Sequence, residues 1–300
     1  MGNFLLIGIC LAAGMLFSVS KALPTDAYKG INAWIIYLAL PAVSFKYLPH
    51  VQWNRELLLP VIMPVIVWVG AWLYTSLYTY NRSVPRATSA ALKLSAGLGN
   101  TSFVGFPLVL AYFGDNDLSI AVICDQITFL TLSTIGIVTV IRAQGKQELP
   151  AKAIIRKVLN FPPFLGCVGA LTLPHFFDLT FLDPVFDKLA LTIGPLALFS
   201  IGLQLKFKGL RQKLKHISAA LTYKLLLAPA LILVIAIMCG FRGTPTKIAV
   251  FEAAMPTQLT SGIVAEEYGT DPKLVNLIVG IGIIIAFATT ALWFWGLKMV

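Results

Sequence analysis

Residues 97–107 read Gly-Leu-Gly-Asn-Thr-Ser-Phe-Val-Gly-Phe-Pro, and they fall inside an apolar run long enough to cross a membrane. Pro107 cannot donate a backbone hydrogen bond, and Gly99 and Gly105 loosen the turns before it. Backbone groups that are freed at membrane depth survive only where protein or a water-filled cavity satisfies them. The stretch therefore predicts two half-helices joined by open backbone, or a proline kink as the simpler alternative.

The composition is typical of a polytopic membrane protein. Hydrophobic residues make up 58% of the 300 residues and charged residues 12%, which is about half the charged share of a soluble domain. Ten apolar runs are long enough to span a bilayer. They cover approximately residues 3–20, 30–48, 57–79, 88–113, 117–141, 161–182, 184–205, 217–239, 246–268 and 272–297.

Lysine and arginine residues are distributed unequally between the two sides of these ten spans. The connections after odd-numbered spans hold fifteen of them, including two clusters at residues 142–157 and 206–215, and the opposite side holds six. The positive-inside rule places the richer side in the cytoplasm and both termini outside, in a plasma or inner cell membrane. The net charge of +10 is then a topology signal, so no nucleic-acid partner is expected.

A second interruption appears near the other end of the chain. Residues 254–262 read Ala-Met-Pro-Thr-Gln-Leu-Thr-Ser-Gly, and a shift of 155 positions lays Thr101 on Pro256 and Pro107 on Gly262. Each half then has five spans, an odd number, so the second half is inserted upside down. We predict an all-α fold of ten transmembrane helices in two inverted five-helix repeats, a pattern typical of secondary transporters. The predicted parts are a first repeat at 1–145, a cytoplasmic connection at 146–154 and a second repeat at 155–300.

The two breaks supply the candidate substrate site. Half-helices that begin at a break present free N–H groups and positive dipole ends, which attract an anion. No arginine lies near either break, which favours a small organic anion over a phosphate. The amides of Asn100 and Gln258 can serve backbone and ligand together, whereas the hydroxyls can equally well serve only the freed backbone. The candidate side chains are Asn100, Thr101, Ser102, Thr257, Gln258, Thr260 and Ser261, and the break residues are Gly99, Gly105, Pro107, Pro256 and Gly262.

Four charged residues lie at least five positions from either end of their spans: Lys93, Asp125, Lys224 and Glu252. An acid as deep as Asp125 should face the protein interior or water. There it can take and release a proton, or else stay charged and hold helices together. Glu252 is the second coupling candidate, ranked below Asp125: its backbone carbonyl is the one that Pro256 frees, but it lies near the outer end of span 9, where its side chain either lines a vestibule or reaches the headgroups. The two lysines are close enough to the cytoplasmic ends of their spans to snorkel.

Short motifs at the two breaks in spans 4 and 9, and further ones in spans 2, 6 and 7, make the chain resemble the auxin efflux carrier family, in its prokaryotic branch, over nearly its whole length. The resemblance implies a fold related to bile-acid sodium symporters and sodium/proton antiporters, in which spans 4 and 9 cross at their breaks. One departure is Phe161, because the family more often has the prolines directly after the asparagine, and this leaves the role of Asn160 open. The matching motifs are residues 38–42, 99–107, 160–163, 195–202, 254–256 and 267–269.

The resemblance also implies a mechanism. Spans 1, 2, 6 and 7 would form a scaffold, often a dimer interface, and spans 3–5 with 8–10 would form a moving unit, as in an elevator mechanism. Prokaryotic members are associated with malate or malonate, and plant members with indole acetate. We therefore expect a secondary active transporter of a small organic anion, with proton coupling as the first hypothesis and sodium coupling as the alternative.

An enzyme is not expected. The chain has no H-E-x-x-H pair, no G-x-S-x-G elbow and no aspartate-rich diphosphate motif, and His50, His175 and His216 lie near membrane borders. No metal or cofactor is expected either. A channel, or a sensor that uses the same fold without transport, stays open as an alternative.

Overall fold

The computed structural model of this protein describes residues 2–80, 82–145, 150–205 and 210–299. Within these ranges the secondary structure is helical, with one isolated β-bridge and no strand, so the all-α prediction is confirmed. Residues 146–149, in the predicted connection, and residues 206–209, in the second basic cluster, lie outside the described residues.

The described ranges hold seventeen α-helices, four π-helical turns and four 3-10 turns. The α-helices are α1 Gly2–Ser20, α2 Ala27–Trp34, α3 Leu40–Tyr47, α4 Leu58–Tyr80, α5 Arg86–Gly97, α6 Phe106–Tyr112, α7 Leu118–Thr131, α8 Ile137–Ala143, α9 Ala151–Leu159, α10 Pro162–Thr172, α11 Asp183–Leu191, α12 Ile193–Gln204, α13 Leu210–Thr222, α14 Ala228–Cys239, α15 Gly243–Ala253, α16 Thr260–Glu267 and α17 Pro272–Leu297. The π turns are Ile35–Ala39, Thr101–Gly105, Leu132–Gly136 and Tyr223–Leu227. The 3-10 turns are Leu48–His50, Arg55–Leu57, Leu173–His175 and Thr180–Leu182.

Seven continuous helical stretches in the described part of the chain are long and apolar enough to cross a membrane. Predicted spans 4, 6 and 9 consist of shorter pieces, because α5, α10 and α15 each end before a full crossing. The protein is thus an all-helical polytopic membrane protein, and the arrangement of ten spans in two inverted repeats stays a prediction. The seven stretches are Gly2–Ser20, Ala27–His50, Arg55–Tyr80, Leu118–Ala143, Thr180–Gln204, Lys213–Cys239 and Pro272–Leu297.

Prolines explain most of the π turns. Three of the four turns end two residues before a proline, namely Pro41, Pro107 and Pro229. Proline has no N–H, so the helix cannot make its usual bond at that position. The N–H of the residue before the proline bonds to the carbonyl five positions back instead of four. Before Pro41, for example, the Leu40 N–H donates to the Ile35 carbonyl. The prolines therefore loosen these helices without ending them.

Contacts divide the chain into two compact units. The first unit comprises Met1–Trp53, Ser102–Val122 and Ile155–Leu205, and the second comprises Asn54–Thr101, Ile123–Ile154 and Lys206–Val300. Each unit takes segments from both halves of the sequence. This division differs from the two predicted repeats, which concern symmetry and stay a prediction.

Small residues hold the helices of the first unit together. A Cβ atom on Gly14 of α1 would lie only 2.2 Å from the Phe199 carbonyl oxygen of α12, and one on Gly202 would lie 2.8 Å from the Cα of Gly14. The two helix backbones therefore touch at this point. In the same unit, Gly166 of α10 packs against the ring of Pro41. Such close approach replaces the hydrophobic driving force that is missing between helices in lipid.

A charged cavity of about 380 Å³ also belongs to the first unit. Lys46 Nζ lies 3.8 Å from Asp115 Oδ2 and 3.1 Å from Asp187 Oδ1, and the Tyr47 hydroxyl donates to Asp115. Both aspartates are more than half exposed, so these pairs contribute little stability. They connect the acidic turn after α6 with α3 and α11.

The second unit has an apolar cluster around the end of α5. Leu94 and Leu98 are fully buried against Trp68, together with Leu132, Val140 and Val264. A Cβ atom on Gly97 would meet the Trp68 ring at 2.5 Å. The glycine thus lets the indole lie directly on the last turn of α5.

The contact between α1 and α12 gives a stability prediction. Gly14→Ala should lower the thermal unfolding temperature of the detergent-solubilised protein, because overpacking of this kind costs about 1–3 kcal/mol. Gly8→Ala on the same helix is the matched control, since nothing lies within 4 Å of a Cβ atom at that position. Equal unfolding temperatures for the two variants would show that the helices tolerate separation.

Candidate functional site

The first helix interruption lies at residues 98–100. Helix α5 ends at Gly97, and Leu98 is extended, with φ −113° and ψ 120°. Helical structure resumes at Thr101 as a π turn that runs into α6. The predicted break residues Gly105 and Pro107 instead lie within these helical segments. Pro107 is the second residue of α6 and follows directly on the π turn, which accommodates its missing N–H.

The second interruption lies between α15 and α16, at residues 254–259. Pro256 is inside this interruption, whereas Gly262 is inside α16 and is not a break residue. A Cβ atom on Gly262 would lie 2.2 Å from Asn276 Oδ1 of α17. Gly262 therefore serves the packing of two helices.

The two interruptions contact each other within the second compact unit. Gly99 and Thr257 form an antiparallel bridge. The Asn100 N–H donates to the Pro256 carbonyl at 2.7 Å, and the Gln258 N–H donates to the Leu98 carbonyl at 3.1 Å. Each open segment thus satisfies backbone groups of the other, as buried backbone requires.

Two side chains satisfy the carbonyls at the helix ends. The Thr257 hydroxyl donates to the Ser95 carbonyl of α5 at 2.6 Å. The Lys224 ammonium donates to the Ala253 carbonyl of α15 at 2.9 Å. A cation is favourable at the carboxyl end of a helix, where the dipole is negative.

Lys224 does not snorkel, and the prediction that it does is wrong. Its side chain is only 1% exposed, because the π turn that carries it lies against the interrupted helices. The sequence contains a signal for this burial: Lys224 lies about eight residues into an apolar run, nearly as deep as Asp125. Lys93, by contrast, is half-buried with its ammonium 5.1 Å from the centre of the Trp72 ring.

Hydrogen bonds on both sides fix the turn that carries Lys224. The Tyr223 hydroxyl donates to the Val67 carbonyl of α4 at 2.8 Å. Pro229 cannot donate to the Leu225 carbonyl four residues before it. The Trp293 indole of α17 donates to that carbonyl instead, at 2.9 Å.

Two buried acids accompany the lysine. Asp125 is 6% exposed and accepts a hydrogen bond from the Thr101 hydroxyl at 2.6 Å. Glu252 is 0% exposed, and neither of its carboxyl oxygens has a hydrogen-bond partner. Glu252 interacts electrostatically with both Asp125 and Lys224. Its predicted position at an outer vestibule or among headgroups is therefore wrong.

The remaining candidate side chains have different surroundings. Thr101 and Thr257 direct their hydroxyl hydrogens to protein acceptors. Asn100 is buried, and so is Ser261, whose hydroxyl has no partner. Gln258 and Thr260 are half-buried, and the Gln258 carbonyl oxygen has no partner. Ser102 is buried and belongs to the first compact unit.

The chemistry of this arrangement is that of charge recognition. Two carboxyl groups and one ammonium lie among neutral amide and hydroxyl groups. Across the described ranges, no group of three or more histidine, cysteine, aspartate or glutamate residues could hold a metal ion. Carboxyl and ammonium groups are chemically able to bind ions and to exchange protons.

The bond between the two interrupted helices gives a second prediction. Thr257→Val should destabilise the protein by about 1–3 kcal/mol, because the buried Ser95 carbonyl loses its donor. Thr290→Val is the matched control: Thr290 is equally buried, but its hydroxyl donates to the Ala286 carbonyl of its own helix. Chemical unfolding in detergent measures the free energy of unfolding of both variants. If the two variants lost equal stability, the bond to Ser95 would have no special role.

Comparison with known proteins identifies the family of this chain. A family model described as membrane transport protein matches residues 4–160 and 161–294. An uncharacterized transporter of Methanocaldococcus jannaschii is 24% identical over 97% of this chain and 96% of its own. A protein of Rhizobium meliloti, provisionally named a malonate transporter, is 25% identical over 89% of this chain and 86% of its own.

Plant proteins match a shorter part of the chain. Auxin efflux carrier component 2 of Arabidopsis thaliana is 31% identical over 104 residues, which are 33% of this chain and 16% of the plant protein. The relatives are named as transporters, which agrees with the expectation that the chain is not an enzyme. The chain belongs to the membrane transport protein family, the family of the auxin efflux carriers that its motifs indicate, and it is a multi-pass membrane transporter.

Proposed function

We propose that the protein is a secondary active transporter that moves a small organic anion, such as malate or malonate, by alternating access. The backbone pairing of the two interrupted helices carries this proposal. Paired helix breaks are where secondary transporters place substrate and coupling ions. The provisional name of the Rhizobium meliloti relative, malonate transporter, supports the substrate class.

The polar groups at the interruptions fit a carboxylate. Asn100, Gln258 and Ser261 supply neutral groups, and Ser261 has a hydroxyl that no protein atom uses. Lys224 supplies one buried cation, although the sequence shows no arginine near either break. Neutral donors with one positive charge can orient an anion without holding it too tightly for release.

We propose that a proton accompanies the anion. With both acids ionised, Asp125, Glu252 and Lys224 sum to one negative charge, which repels an anion. One proton on the acid pair makes the cluster neutral, so proton and anion favour each other's binding. The Thr101 hydroxyl donates to Asp125, and Glu252 and the thiol of Cys124 interact with it electrostatically. Sodium in place of the proton is the alternative.

We also propose the inverted repeats, the elevator motion and the orientation with both termini outside. The division into two compact units supports a scaffold, because predicted spans 1, 2, 6 and 7 fall mainly in the first unit and predicted spans 3, 8, 9 and 10 in the second. A homodimer would be formed through the scaffold. The excess of lysine and arginine on one side supports the orientation.

The proposed anion site predicts the effect of two substitutions. Asn100→Ala and Gln258→Ala should each weaken malonate binding by roughly tenfold to a hundredfold, since one hydrogen bond to a charged ligand contributes about 1.5–3 kcal/mol. Binding to purified protein is measured by calorimetry. Gln144→Ala is the control, because that amide donates to the Gly269 carbonyl, away from the interruptions.

Unchanged affinity in both variants would place the anion elsewhere. Transport itself is tested by uptake of labelled malonate into vesicles. Accumulation against the gradient would support a carrier, and equilibration or no uptake would favour the channel or the sensor.

The proposed proton coupling predicts a change in pH dependence. Wild-type uptake should rise as the outside becomes more acidic, and Asp125→Asn should remove most of this dependence, because the acid pair loses a titrating group. Uptake into proteoliposomes between pH 5 and 8 measures it, with Asp115→Asn in the exposed turn as the control. An Asp125→Asn protein with the full wild-type pH profile would contradict the hypothesis, and strict sodium dependence would favour the alternative.

A further inference from the structure

The carboxyl end of an interrupted helix is a natural cation site. Backbone carbonyls freed at such an end carry partial negative charge, and secondary transporters use them to hold a coupling ion. In this protein the freed carbonyl of Ala253, at the end of α15, receives the ammonium of Lys224 at 2.9 Å. A side chain thus occupies the place where a mobile cation would bind.

We infer that Lys224 is a tethered cation that replaces a coupling sodium ion at the paired helix interruptions, so that transport does not require sodium. The inference rests on the proposed transport of an organic anion. It deepens that proposal, because it assigns a role to a residue that neither the family match nor the relatives' names identify.

The space around the ammonium supports this role. A Cβ atom on Gly99 would lie 3.1 Å from Lys224 Nζ and 3.5 Å from Lys224 Cε. Gly99 adopts no left-handed conformation, so its backbone does not require glycine. The missing side chain leaves room for the end of the lysine, directly beside the bridge between the two interruptions.

The charges around the ammonium also support the role of Lys224 as a tethered cation. Glu252 is fully buried, its carboxyl oxygens have no hydrogen-bond partner, and it interacts electrostatically with Lys224. In its ionised form a buried acid of this kind needs a positive charge close by. Among the side chains whose exposure is described, Lys224 is the one buried lysine or arginine. The chain itself therefore supplies the cation that the acids need.

The attachment of Lys224 makes it a defined cation site. The bonds from Tyr223 to Val67 and from Trp293 to Leu225 hold the residues on either side of it. Lysine is otherwise flexible and strongly hydrated. Here the side chain starts from a turn that is bonded to α4 and α17, so its ammonium group is held at the Ala253 carbonyl.

The test compares sodium with choline in the full-length protein reconstituted in liposomes. Wild-type uptake of labelled malonate should be the same in both, within about twofold. Lys224→Met should reduce uptake in choline by about tenfold to a hundredfold, since a charged hydrogen bond is lost, and sodium should restore part of it. Lys93→Met is the matched control and should behave as the wild type.

A second measurement does not depend on transport. Sodium chloride, compared with choline chloride, should raise the unfolding temperature of Lys224→Met, because a bound ion stabilises the folded state, and should leave the wild type unchanged. If the wild type neither binds nor transports malonate, the proposed function fails, while the sodium effect on Lys224→Met still tests the tethered cation.

Three results would overturn the inference. The first is strict sodium dependence of wild-type uptake, and the second is uptake by Lys224→Met in choline at the wild-type level. The third is an unfolding temperature of Lys224→Met that sodium does not change. If Lys224→Met does not fold, Gly99→Val replaces it, because its side chain would displace the ammonium. The same loss of uptake and the same response to sodium are then expected. Gly296→Ala, where nothing lies within 4 Å of a Cβ atom, is its control, and wild-type behaviour of Gly99→Val would contradict the inference.

Discussion

The hydrogen bonds between the two helix interruptions are the constraint on which the second unit depends. An open segment inside a membrane span exposes N–H and C=O groups that lipid cannot satisfy, and each unsatisfied group costs several kcal/mol. Here the segments at residues 98–100 and 256–258 satisfy each other. Neither opening would be stable alone. The bonds that make a polar site in the membrane are therefore the same bonds that hold the fold.

The buried charges follow from this opening. A carboxyl or ammonium group in a continuous apolar helix would have no polar surroundings, whereas the ends of α5 and α15 provide carbonyl groups and bound hydroxyls. Burying such charges usually weakens a protein compared with apolar residues of the same size. The cluster of two acids and one lysine at the interruptions therefore fits a role in ion recognition better than a role in stability. The first unit, with its close glycine contacts between α1 and α12, has a different organisation, and the aspartates of its salt bridges with Lys46 are more than half exposed.

Much of the helical fold could be predicted from the sequence, because apolar runs and breaks are local features. The interruptions themselves were harder to locate, since Pro107 marks the start of α6 and the open backbone lies before it. Burial was predicted least well. Depth along a helix does not show which way a side chain points, so Lys224 and Glu252 were assigned to membrane borders, whereas both are buried. The bonds of Thr101 to Asp125 and of Thr257 to Ser95 join positions far apart in the chain, and a single sequence contains no measure of such proximity.

The pairing of the two interruptions also sets an order of events during biosynthesis. Thr257 and the Ser95 carbonyl that it satisfies are 162 positions apart. At a synthesis rate of about 5–20 residues per second, the first interruption is complete roughly 8–30 s before its partner leaves the ribosome. During that time its backbone groups must be met by water or by the insertion machinery, because lipid offers no donors or acceptors. The second compact unit is thus completed only after nearly the whole chain has been made, and the first broken span enters the membrane as an unfinished element.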